Sequence, residues 1–147
     1  MRQSLKVLGL VGLAMLALTA LASACDDGED DDSSTTVAVE GVDFAFDGVP
    51  ATLPEGRVTL EFSNGGAEFH EMVLVRLPEG MTLEQAMELP EEEAPPPIGI
   101  VFAQPGEQGA GLTATLEAGN YAMVCFIENE QGPHAFQGMV AELTIEG

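Results

Sequence analysis

The chain has 147 residues, 46% of them hydrophobic, with 25 acidic side chains against 4 lysines and arginines and a formal charge of −21. So strong an acidic excess speaks against a nucleic-acid partner and against electrostatic adhesion to anionic lipid. It suits solubility, or steering towards a basic partner.

The N-terminus reads MRQSLKVLGLVGLAMLALTALASAC. Arg2 and Lys6 form a positive flank, Val7 to Leu21 is an apolar run, and Ala22, Ser23 and Ala24 are the small residues expected before a cleavage site. A comfortable bilayer crossing takes ~20 residues, so residues 1–24 are expected to be a signal peptide rather than a permanent span. Cleavage before Cys25 resembles the lipobox of bacterial lipoproteins, with Ala22 where that family most often has leucine. The resemblance implies that Cys25 carries lipid and anchors the chain to the membrane on its extracytoplasmic side. The alternative is a soluble secreted or periplasmic protein.

After Cys25 comes DDGEDDDSSTT, which has nothing apolar to bury. Residues 25–36 are expected to be an acidic disordered tether, leaving 37–147 as one domain with a single core. Arg2 and Lys6 depart with the leader. Arg57 and Arg76 then face all 25 acids, a balance of −23.

Period-two alternation recurs along the domain. VDFAFD puts Val42, Phe44 and Phe46 on one face, and RVTLEF does the same with Val58, Leu60 and Phe62. HEMVLVRL sets Met72 and Leu74 opposite Val73 and Val75, as expected of a strand covered on both faces. TLEQAMEL is the one helical candidate, with Thr82 and Gln85 at capping-box spacing, and PEEEAPPP ends it in a surface loop. LTATLE, YAMVCF and MVAELTI complete the strands, punctuated by DGVP, PEG, NGG, PGEQGAG and EAGN. The expected fold class is all-β, an antiparallel Greek-key sandwich or barrel with one short helix.

YAMVCFIENEQGPHAFQGMV, residues 121–140, holds the only cysteine in the body of the chain. A disulfide is the usual use of cysteine outside the cytoplasm, but the only possible partner is Cys25 in the leader region. Strand alternation places Cys125 beside Tyr121 and Met123 at a strand end, before a polar loop that returns at His134. Met139 opens the next strand. A thiolate, an imidazole and a thioether can therefore converge from one segment. The other histidine is His70, after NGGAEF at the end of a different strand. One thiolate, two imidazoles and a weak axial thioether form the ligand set of a blue copper site.

These residues resemble the cupredoxin family, the plastocyanin-like small copper proteins. The family ends in a tyrosine four residues before a cysteine, then cysteine, histidine and methionine in order, supplied here by Tyr121, Cys125, His134 and Met139. The C-x8-H-x4-M spacing is that of the type 1 copper domain of nitrite reductases. Asn64, Gly66 and His70 match the family's N-x-G-x-x-x-H pattern at the first ligand. Phe69 stands where proline is frequent and Glu71 where asparagine is frequent. The segment from Leu77 to about Gly111 looks like a family-variable insertion.

The resemblance implies one mononuclear type 1 copper site with His70, Cys125, His134 and Met139 as metal ligands and Asn64 and Glu71 in supporting positions. It also implies that the electron leaves through an exposed edge of His134, within an apolar rim of Pro133, Ala135 and Phe136. The expected function is a membrane-tethered, extracytoplasmic one-electron carrier between redox proteins, basic ones being favoured by the charge. Alternatives are a copper-buffering or copper-delivery module without electron shuttling, or a metal-free cupredoxin-like interaction domain. Neither an enzyme nor an organic substrate is expected: multicopper catalysis needs more histidines than His70 and His134, and binuclear copper needs two cysteines in one loop.

Overall fold

The computed structural model describes residues 34–147. The expected signal peptide, Cys25 and residues 25–33 of the tether lie outside them. Thr35 and Thr36, read above as the end of the tether, instead open strand β1 (Thr35–Val42), pairing with Val58 and Thr59.

β1 buries Val37, Val39 and Gly41 and exposes the residues between them. It stops at Val42. Val42, Phe44 and Phe46 therefore do not share one strand: Asp43 and Phe44 form the turn of a tight hairpin, and β2 (Ala45–Asp47) runs back antiparallel along β1. Aspartate is a poor strand residue, and the Asp43 carboxylate here accepts the backbone N–H of Ala67 from a neighbouring loop.

The chain continues through β3 (Thr52–Pro54), β4 (Gly56–Asn64) and β5 (His70–Arg76). After helix α1 (Leu83–Met87) come β6 (Pro97–Ala103), β7 (Gln108–Leu116) and β8 (Gly119–Val124). The two-residue strands β9 (Glu128–Asn129) and β10 (Gly132–Pro133), a 3-10 turn (His134–Gln137) and β11 (Val140–Glu146) complete it.

One sheet has the order β2-β1-β4-β7 and the other β3-β11-β8-β5-β6. The expected all-β architecture holds, but the sheets are mixed rather than wholly antiparallel: β1 runs parallel to β4, and β11 parallel to β3. Val58, Leu60 and Phe62 of β4 and Met72 and Leu74 of β5 meet in one core with Tyr121, Met123, Leu143 and Ile145. Full burial of each such side chain contributes roughly 1.5–3 kcal/mol.

The expected insertion is smaller than Leu77 to Gly111, because β6 and the start of β7 fall inside it. β6 escapes a period-two reading because it is apolar on both faces, with Val101 and Ala103 inward and Ile98, Ile100 and Phe102 outward. Its opening Pro97 is tolerated because β6 is the edge of its sheet. α1 begins at the expected capping box: Gln85 N–H donates to Thr82 Oγ1, and Thr82 N–H donates to Gln85 Oε1. Its Leu83 and Ala86 pack with Ala122, Val124 and Ala135 on the outer face of the second sheet.

Candidate metal centre

Asn64, the last residue of β4, shapes the loop that delivers His70. Its side-chain amide donates to the carbonyls of Glu68 at 2.8 Å and Ala103 at 2.9 Å, while its Oδ1 accepts the N–H of Gly66 at 2.9 Å. The chain then enters β5 at His70, which pairs with Ala103 of β6.

The remaining residues come from one segment closed by its own backbone. Cys125 lies just past the end of β8, and its N–H donates to the Met139 carbonyl at 3.2 Å. Ala135 N–H donates back to the Cys125 carbonyl at 2.8 Å, His134 N–H to Ile127 at 2.8 Å, and Met139 N–H to His134 at 3.0 Å. Glu71 joins the two halves by accepting the N–H of Phe126 on Oε1 at 2.9 Å.

His70 Nδ1 lies 3.2 Å from His134 Nδ1, which lies 3.6 Å from Cys125 Sγ. One ligand atom from each residue lies within 4.8 Å of the others. A triangle with such edges has its centre ~2–2.4 Å from each corner, the range of metal–imidazole and metal–thiolate bonds. Met139 is fully buried, as are His70, Cys125 and His134. Met139 packs against Gly41 and Phe62, where a Cβ built on Gly41 would lie 3.1 Å from the Met139 methyl and 3.0 Å from the Phe62 ring.

Each imidazole turns its other nitrogen to a carboxylate: His70 Nε2 is 2.9 Å from Asp43 Oδ1, and His134 Nε2 is 3.0 Å from Glu68 Oε2. A carboxylate only accepts, so a ring proton on Nε2 satisfies each of these contacts and leaves the Nδ1 lone pair facing the centre. Two imidazole nitrogens and a sulfur converging in a fully buried site suit a cation between them. The donor set therefore fits a soft or borderline metal ion.

Burial pushes the Cys125 thiol up from its ordinary value of 9.0, a rise that hydrogen bonding only partly offsets. Asp43 is held below the ordinary carboxylate range, first by the Ala67 N–H. Glu71 is pushed up by burial and pulled back by the Phe126 N–H.

No family model and no curated protein matches the sequence. Solved structures do match the fold. A dithionite-reduced auracyanin from Roseiflexus castenholzii aligns at 23% identity over 77% of this chain and 98% of its own, with a TM-score of 0.57. Auracyanin A, a "blue" copper protein from Chloroflexus aurantiacus, aligns at 24% identity over 77% of this chain and 99% of its own, with a TM-score of 0.56. Rusticyanin from Thiobacillus ferrooxidans aligns at 19% identity over 77% of each chain, with a TM-score of 0.54. The fold is cupredoxin-like.

Within this cupredoxin-like fold the structure departs from the expected exit route. His134 has no exposed edge, since its side chain is fully buried beneath Glu68 and packs 4.7 Å from the Phe44 ring, centroid to centroid. Ala135 is also buried and Pro133 half-buried, so Phe136, 69% exposed, is the one prominent member of the expected rim. Phe126, 49% exposed, adds a second aromatic beside Cys125. Asp43 and Glu68 were not among the expected site residues. Glu68 stands two residues before His70, yet its partner is the distant His134, so its spacing carried no signal. Asp43 had none, because only the β1–β4 pairing brings it near.

Proposed function

We propose that the chain is a type 1 copper protein with His70, Cys125, His134 and Met139 as its ligands. Its function in this reading is one-electron transfer between redox proteins outside the cytoplasm. The observation that carries this reading is the convergence of two imidazole Nδ1 atoms and one thiol sulfur at a fully buried point of a cupredoxin-like fold. Bound copper would supply a one-electron couple in which no bond to substrate forms or breaks. Cys125 would supply the soft sulfur donor, His70 and His134 the imidazole donors, and Met139 a weaker thioether. The surrounding backbone hydrogen bonds hold these groups together before any ion arrives, so little has to rearrange with a change of charge. The copper chemistry of auracyanin A is consistent with this reading.

The test is the optical and EPR spectrum of the protein after copper(II) addition. Intense visible absorption bleached reversibly by ascorbate supports an electron carrier, and Cys125→Ser should abolish the colour. A Cys125→Ser protein that keeps it would show that the thiolate is not a ligand. Tight copper(I) binding without colour would instead support buffering or delivery, and no stoichiometric uptake would leave an interaction domain.

The same reading puts the domain on a tether of residues 25–34, anchored through lipid on Cys25. What supports it is the apolar leader, the small residues before Cys25 and the acidic run after it. Cys25→Ser should move the protein out of the membrane fraction. Retention there would remove the lipid anchor from the proposal.

A further inference from the structure

Asp43 and Glu68 are tied into their places behind the two imidazoles. Asp43 accepts the N–H groups of Ala67 at 2.9 Å and Glu68 at 3.4 Å as well as meeting His70 Nε2. Gly66 leaves the room for that meeting: a Cβ there would collide with Asp43 Oδ1 and lie 2.7 Å from His70 Nε2. Glu68 is held from the other side, with Asn129 Nδ2 donating to both carboxylate oxygens at 3.1 Å. Asn129 in turn accepts from Gln137 Nε2 at 3.0 Å and from the Gln131 N–H at 2.8 Å. The β9–β10 hairpin and the 3-10 turn thus brace a carboxylate over His134.

Such a carboxylate accepts the ring N–H on Nε2, aims the Nδ1 lone pair inward and raises the basicity of the donor. Its negative charge also favours the more highly charged state of an ion on the far side of the ring. We infer, taking the centre to be the copper site proposed above, that Asp43 and Glu68 are positioning residues that fix both rings as Nδ1 donors and bias the site towards copper(II). Glu68 has a second consequence. Its side chain is 40% exposed while that of His134 is fully covered, so a redox partner approaching this edge meets a carboxylate and not an imidazole.

Glu68→Gln keeps an acceptor for His134 Nε2 and removes the charge; Glu68→Ala removes both. The ratio of copper(II) to copper(I) affinity should fall about tenfold in each variant, the low end of the effect of losing such a partner. Tenfold corresponds to a rise of about 59 mV in the midpoint potential of a one-electron couple. Nitrogen-15 spectra of the imidazoles in the metal-free protein supply an independent readout. The His134 proton should sit on Nε2 in the wild type and in Glu68→Gln, and should redistribute to Nδ1 in Glu68→Ala. Asp43→Asn repeats the test at His70. Should that variant not fold, the wild-type spectrum decides, since a His70 proton on Nδ1 overturns the inference there.

If copper colour forms but neither Glu68 variant shifts the potential or the tautomer, the carboxylates are bystanders and the copper reading stands. If the wild type takes up no copper, that reading falls. The metal-free spectra then still decide the positioning role, which an Nε2 proton lost in Glu68→Ala supports and an unchanged spectrum refutes.

Discussion

Glu71 Oε1 accepts the backbone N–H of Phe126 at 2.9 Å, and this single bond ties the strand that begins at His70 to the residue after Cys125. Glu71→Ala strands a partly buried donor and should cost about 1–3 kcal/mol. Glu71→Gln should cost less, because an amide carbonyl still accepts. Burial raises the Glu71 pKa, so its contribution favours the fold most at pH below the unfolded value near 4.5 and weakens as pH rises through the folded value. Thermal unfolding of the metal-free protein across pH should therefore show a flatter upper limb in Glu71→Gln. Identical pH profiles would mean that the carboxylate is solvated.

Cys125 predicts a proton count. Because burial raises its pKa, the free protein holds a neutral thiol at pH 7, and metal uptake must displace that proton. Copper(II) affinity should rise about tenfold per pH unit below the thiol pKa, the slope for one proton released. Calorimetry in buffers of different ionisation enthalpy measures the release directly. Uptake without it would remove the thiolate from the ligand set.

Gly41→Ala tests the proposed contact of Met139 with copper. The added methyl would press on the Phe62 ring at 3.0 Å and the Met139 methyl at 3.1 Å. Phe62 is locked in the core, whereas methionine has the freer rotamers, so Met139 should yield. A stability loss of about 1–3 kcal/mol is expected, together with a changed ratio of visible bands in the copper protein. A variant with a wild-type spectrum would place Met139 outside the copper's reach.

Tyr121 separates scaffold from site. Its hydroxyl donates to the Glu117 carbonyl at 2.8 Å, pinning the turn that feeds β8. Tyr121→Phe should lose about 0.5–1.5 kcal/mol in denaturant titration, with copper colour and potential unchanged.

The parts of this molecule legible in its sequence are those with local periodicity. Val58, Leu60 and Phe62, the Met72–Leu74 pair and the run from Met139 to Ile145 bury the faces that alternation predicts. Thr82 and Gln85 form the helix cap their spacing predicts. Where the reading slipped, long-range pairing overrode local pattern. Asp43 and Phe44 interrupt an apparently continuous strand because β2 folds back on β1 there. β6 falls inside the expected insertion because an edge strand apolar on both sides shows no period-two alternation. The convergence of His70, Cys125 and His134 is what the family resemblance implies, but the burial of His134 is not. That depends on Glu68, Asn129 and Gln137 meeting across sequence separations that no periodicity records.

The complete enclosure of His70, Cys125, His134 and Met139 separates how tightly an ion is held from how quickly it arrives. In the proposed copper site no donor would touch solvent, so entry and escape would both wait for the segment from Cys125 to Met139 to open briefly, a fluctuation measurable by amide hydrogen exchange. A chelator should then strip the protein at a rate set by that opening and independent of chelator concentration once reclosure is outpaced, so that the fold acts as a slow valve on its own cargo.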